Sequence, residues 1–200
     1  MNISEVTKTY PAMDAAYAGE VYDRILPMIE SDCRPFLQQI DNEWEIYKLY
    51  RGMKAKPGHP IQRKEVRLTN RTPHATDELR HERFNDFFSR KFGYPFRNSV
   101  FATGDSMDAA VYGNGIHVIF PIGDFDFLWS PYVRDMTYDL KWEPIGGFSH
   151  VPPSQDLVDK TLNNVEYQVT DFKGAIISGK EIMIRCKEYY AVDWRVFTSR

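Results

Sequence analysis

Apolar positions near the start of the chain recur at helical spacing, whereas those of the second half recur at every other residue. In "AAYAGEVYDRIL", residues 15–26, Ala16, Val21, Ile25 and Leu26 fall roughly along one stripe, which predicts a helix. Pro27 and Pro35 are expected to break this region into short pieces, because proline removes an intrahelical donor. "EIYKLYRGM", 45–53, reads as the first strand. The clearest helix is "TDELRHERFNDFFSRKFG", 76–93. Thr76 can cap it, Asp77 and Glu78 suit its positive end, and Arg90 and Lys91 suit its last turn before Gly93. Phe84, Phe87, Phe88 and Phe92 make its apolar stripe, which reads as core.

From residue 98 the pattern shortens. "SVFAT" and "IHVIFPI" read as strands, "SMDAAVY" as a short helix ended by Gly113, and "DFDFLWS" as a period-two strand. "SQDLVDKTL" reads as a helix after Pro152 and Pro153. "VEYQVTDF", "AIIS", "EIMIRC" and "YYAVDW" read as strands separated by turn residues. Strands and short helices without regular βα alternation predict an α+β fold with a mixed or mostly antiparallel sheet. Lacking a linker, the chain reads as one domain over 1–200, with a helical elaboration at 1–45 and a core at 46–200.

Composition narrows the class. A 42% hydrophobic and 14% aromatic content supports a packed globule. A formal charge of −3 and a pI near 6.0 oppose bulk attraction to nucleic acid or anionic membrane. One local exception is 54–74, where six bases face one acid (Glu65), a net +5 that includes Arg63, Lys64, Arg67 and Arg71. It reads as a solvated loop, or as a cover over phosphates or a docking surface. Two distant cysteines, Cys33 and Cys186, imply no disulfide framework and fit a reducing compartment. The start shows no secretory pattern and no apolar run has bilayer length, so a cytoplasmic protein is expected. His59, His74, His81, His117 and His150 lack metal-ligand spacing, and neither a P-loop nor GxGxxG occurs. A D…ExK nuclease pattern fails, because Met183 stands two beyond Glu181.

Two charged residues stand out. Arg51 ends an apolar, aromatic run, where a guanidinium is costly to bury unless an anion meets it. Either a carboxylate of the chain or a ligand's anion answers it. Glu181 opens "EIMIRC" after a turn, sharing a face with Met183 and Arg185 while Ile182, Ile184 and Cys186 point to the core. Such a carboxylate can border a cleft, or be a solvated strand-start residue.

The order of "LYRG", then "FATG" with "DAAVYG", then "GKEIMI" resembles the ADP-ribosyltransferase family, in particular its arginine–serine–glutamate branch. The likeness spans about 135 residues on three short motifs, and the whole chain also resembles phage-encoded proteins. It implies the family's split sheet with flanking helices and NAD as substrate. It further implies loss of nicotinamide and transfer of ADP-ribose to a macromolecular acceptor, protein or nucleic acid, or to water. Arg51 would hold the pyrophosphate through paired charge-assisted hydrogen bonds. Glu181 would stabilise the cation that develops on the ribose. Thr103 matches the centre of the family's Ser-Thr-Ser pattern, Ser106 is a candidate nucleotide contact, and Tyr112 could stack on nicotinamide. Ala102 and Gly104 stand where the family has its two serines, with Asp105 or Ser106 as possible substitutes. Gly179 stands where arginine-modifying members carry Glu or Gln, which leaves the acceptor open. Outside the likeness, Arg51 reads as an internal ion pair, Thr103 as a strand filler and Tyr112 as core. A non-catalytic binding protein using the basic loop is the competing function. Trp129, Ser130 and Asp135 read as a structural corner.

Overall fold

The computed structural model describes residues 13–69, 78–140 and 153–199. Its helices are α1 (Ala15–Asp32), α2 (Arg34–Gln39), α3 (Glu78–Phe92), α4 (Ser106–Ala110), α5 (Met136–Asp139), α6 (Gln155–Asn164), α7 (Phe172–Ile177) and α8 (Arg195–Thr198). Its strands are β1 (Tyr50–Met53), β2 (Ile61–Glu65), β3 (Val100–Ala102), β4 (Gly115–Ile122), β5 (Asp126–Trp129), β6 (Ile182–Arg185) and β7 (Glu188–Asp193). They form two antiparallel sheets, β1-β4-β7-β2 and β3-β6-β5. The fold is thus mixed α+β. Among the described residues no helix is long and apolar enough to cross a membrane.

The sheets meet where β1 ends beside β3. Tyr50 and Thr103 form an isolated antiparallel bridge, Tyr50 N donating to Thr103 O at 2.7 Å and Thr103 N to Tyr50 O at 3.0 Å. The buried residues fall into two clusters, the larger of which draws on both sheets. The larger core packs Val118, Phe120, Tyr190 and Val192 of the four-stranded sheet against α1 and α2, with Phe36 and Trp44 edge-on to Phe120. The smaller packs Phe84, Phe87 and Phe88 of α3 against Val158 and Leu162 of α6, Tyr167 and Met183. Complete burial of one such phenylalanine stabilises the fold by about 2–3 kcal/mol. Ile182 and Ile184 of β6 belong to the larger core and Met183 to the smaller, so this strand is apolar on both faces.

Several expectations need correction. Pro27 does not break α1: its exposed position lets water meet the carbonyl that its missing N–H leaves free. The buried stripe of α1 is Ala18, Val21, Ile25 and Ile29, not Ala16 and Leu26, a 3–4 residue spacing that became clear only from what it packs against. "AIIS" is helical, within α7, because Asp171 caps it at φ +57° and accepts from Gly174 N. "VEYQVTDF" is not a strand; Gln168 alone bridges Trp129. The first strand is only Tyr50–Met53, shorter than 45–53. Conversely, the basic segment is partly strand: Arg63 and Lys64 lie in β2, and Arg63 pairs with Glu188 at 2.5 Å. The cap proposed at Thr76 and Asp77, and Arg71 of the basic run, lie outside the described residues. At the expected corner, Ser130 Oγ donates to Val165 O and accepts from Tyr132 N and Val133 N, while Asp135 caps α5.

Candidate functional site

Residues directly paired in antiparallel ladders share a sheet face. Arg51 pairs with His117, and His117 with Asp193; Gln62 pairs with Ala191 and Lys64 with Tyr189. Arg51, His117, Asp193, Gln62 and Lys64 therefore lie on the face of the four-stranded sheet opposite Val118, Phe120, Tyr190 and Val192. Arg51 is half-buried there. Its Nη1 donates to Phe101 O at 2.5 Å, while its Nε is buried without a hydrogen-bond partner. No carboxylate among the described residues forms an ion pair with it. The guanidinium lines a cavity of about 240 Å³ together with Glu65, Arg67, Ser99, Val100 and Tyr189. The charge on Lys64 is disfavoured, first by burial and then by Lys56 and Arg51, so this face is electropositive. The internal ion pair expected from the bland reading of Arg51 is absent among the described residues.

Thr103 ties three chain segments together. Besides its backbone bridge to β1, its Oγ1 donates to Gly179 O at 2.5 Å and accepts from Asp105 N at 3.0 Å. It is a buried clamp between the end of β3 and the turn that precedes β6. Gly179 occupies that turn at φ +68°, a conformation that favours glycine over the Glu or Gln found in arginine-modifying enzymes. Thr103→Val strands a carbonyl and an N–H, and is expected to cost about 1–3 kcal/mol in urea unfolding. A stability equal to wild type would show that the clamp contributes nothing.

Glu181 follows directly. Its N–H donates to Arg134 O at 2.9 Å, and Arg134 is itself held by Asp108 through paired contacts of 2.7 and 2.5 Å. The Glu181 side chain is only 15% exposed, and Arg97 Nη1 lies 3.9 Å from its Oε1. Arg97 is more enclosed still and stacks over Phe101 at 4.8 Å. The face that Glu181 shares with Met183 is therefore the smaller core, not an open cleft wall, and the reading of a solvated carboxylate fails for the same reason. The buried Tyr167 hydroxyl is held protonated chiefly by burial, with the Glu181 charge pushing the same way.

Tyr112 follows α4 and is 55% exposed, so it is not core. Its hydroxyl donates to Asp135 Oδ2. Burial of that hydroxyl foremost, then Asp135 and the nearby Glu181 charge, raise its pKa. Ser106 is the half-buried first residue of α4, and Asp105 caps that helix by accepting from Met107 N and Asp108 N. Asp105 is thereby committed to the helix end and does not replace a serine.

Arg51, Thr103 and Glu181 come together across strands. Tyr50, beside Arg51, bridges Thr103, and Ala102 pairs with Ile182, which puts Thr103 and Glu181 one step further along the same register. At about 4.8 Å per strand, the backbones of Arg51 and Glu181 are roughly 10 Å apart. The side chains diverge from this row: Glu181, Thr103 and Tyr112 do not line the cavity that Arg51 lines. Sequence reasoning missed Arg97 and Arg134, and read Asp135 only as part of a structural corner. Their partners are distant along the chain, and "PFRNS" and "YVRD" carry no local signal. Among the described residues no cluster of metal-ligating side chains occurs. The chain matches no protein-family model, no curated protein and no solved structure.

Proposed function

We propose that the protein is an NAD-dependent ADP-ribosyltransferase of the arginine–serine–glutamate type. The observation that carries this reading is the half-buried guanidinium of Arg51, which faces a cavity with no carboxylate among the described residues paired to it, one strand away from Thr103 and two from Glu181. A half-buried guanidinium that no such carboxylate neutralises is suited to an anion, and a dinucleotide supplies a pyrophosphate. Arg67 beside Arg51, with Lys64 on the same electropositive face, favours that anion over any neutral ligand. Two packed antiparallel sheets joined at a β1–β3 bridge support the corresponding split-sheet fold.

In this mechanism Arg51 fixes the phosphates. The nicotinamide–ribose bond then lies toward Glu181, whose backbone N–H is held by the Arg134 carbonyl and whose preceding turn is held by the Thr103–Gly179 clamp. As nicotinamide leaves with the bonding electrons, the ribose becomes cationic and Glu181 stabilises it in a partly dehydrated setting. The exposed ring of Tyr112 provides a stacking face near that carboxylate. The acceptor is a macromolecular nucleophile or water.

Calorimetry with NAD tests the binding half. Arg51→Ala is expected to weaken NAD at least about tenfold, the loss for one charge-assisted contact. Unchanged affinity would remove the reading.

A second reading keeps the nucleotide and drops the chemistry. The Arg97–Glu181 pair draws on the carboxylate's charge, and Ala102 and Gly104 offer no hydroxyl. This reading expects Arg51-dependent binding of NAD without nicotinamide release.

A further inference from the structure

A second cavity, of about 420 Å³, lies between the start of α1 and the 55–60 loop and shares no lining residue with the Arg51 cavity. We propose that it is a binding site for a small organic anion: a flat, apolar body bearing a carboxylate or phosphate head. The proposal is independent of the NAD reading.

Four features converge on it. First, His117 lines this cavity although it is 2% exposed, and among the described residues its Nδ1 has no partner of hydrogen-bond geometry. Gln62 Nε2 sits 3.3 Å from His117 Nε2. With Gln62 on Nε2, Nδ1 is the ring nitrogen turned toward a ligand. A buried ring nitrogen that lacks a well-aligned partner is costly, and a polar head group would satisfy it. Burial foremost, aided by Lys64 and Arg195, opposes a charge on the ring, against Asp193 and the Gly115 carbonyl.

Second, the acids of the cavity are already engaged. Asp14 caps α1 through Tyr17 N at 3.0 Å, and Asp193 holds Arg195 through contacts of 2.9 and 2.6 Å. Third, Lys56 and His59 bring exposed donors from the 55–60 loop to the cavity rim. The start of the eighteen-residue α1 adds its positive dipole end to this same wall. Fourth, Tyr17, Pro57 and Pro60 give the cavity an apolar side. A few directed donors against an apolar wall, in this volume, is the form of a small-ligand site. The head would meet His117 Nδ1 and Lys56, and the body would lie against Tyr17 and the prolines.

Titration of the full chain with phenyl phosphate, benzoate and benzyl alcohol to about 10 mM tests this, a range suited to ligands so small. The readouts are calorimetry and the imidazole nitrogen shifts of His117. Phenyl phosphate or benzoate is expected to bind and move the His117 Nδ1 resonance, with benzyl alcohol silent. Lys56→Ala with His59→Ala, both at exposed positions, should weaken binding by about tenfold, whereas Arg51→Ala should leave it unchanged. His117→Asn, checked for a native thermal transition, should abolish it. Three outcomes would each overturn the proposal. Neither anion binds the wild type; benzyl alcohol binds as well as phenyl phosphate; or binding falls with Arg51→Ala and not with the Lys56 and His59 changes.

Discussion

Glu181→Gln is expected to lower nicotinamide release from NAD by a factor of about 10²–10³ while NAD still binds. The magnitude is that of deleting one preorganised electrostatic stabiliser of a transition state. Glutamine keeps the shape of the side chain, so the backbone contact of residue 181 to Arg134 O survives. The amide has no negative charge to offer the ribose cation, and the effect should therefore fall on turnover rather than affinity. Chromatographic quantitation of nicotinamide, with label transfer from NAD to cell-lysate proteins and nucleic acids, measures it. Wild type and variant that both leave NAD intact in every lysate would end the transferase reading. NAD calorimetry would then tell a dead nucleotide binder from a protein with no NAD site. Mass spectrometry of the labelled species would identify the acceptor.

The second large effect concerns folding. Gly104→Ser, which places a serine where the Ser-Thr-Ser pattern of ADP-ribosyltransferases would have one, is expected to destabilise the protein by about 3 kcal/mol or more, or to prevent folding. A Cβ at position 104 would stand 1.7 Å from the carbonyl oxygen of Ile176 and 2.6 Å from its carbon. Both are backbone atoms of α7, so relief requires moving the helix rather than a flexible side chain. Urea unfolding, with Ala102→Ser as the comparison, measures the difference. Native stability in Gly104→Ser would show that α7 does not press on this position. The same approach accounts for the departure from the Ser-Thr-Ser pattern: the glycine is demanded by packing, whatever the chemistry. Gly52, after Arg51, is constrained likewise, since its Cβ would meet the Ala109 carbonyl oxygen of α4 at 2.0 Å. α4, which follows β3, thus sits directly on β1.

Much of the local structure was legible in the chain. The phenylalanine stripe of α3, the strand character of 116–122 and 182–185, and the helix after Ser154 rest on short-range signals, namely periodicity and capping residues. "AIIS" misled because its apolar run suits either state; the deciding factor was the Asp171 cap just before it. The candidate site divides the same way. Arg51 was conspicuous because a guanidinium in an apolar run demands an anion, a question that sequence can raise. That no carboxylate among the described residues answers it depends on which strands pair, and so on coordinates.

What sequence by itself determined, then, is the α+β character, the core-facing stripe of α3 and the oddity of Arg51 and Glu181. Each follows from nearest-neighbour chemistry. Tertiary structure alone decided that Thr103 clamps Gly179, that Glu181 is enclosed beside Arg97 rather than set on an open wall, and that Gly104 must lack a side chain. These contacts join residues far apart along the chain. Their energies depend on distances and dehydration that no local pattern encodes.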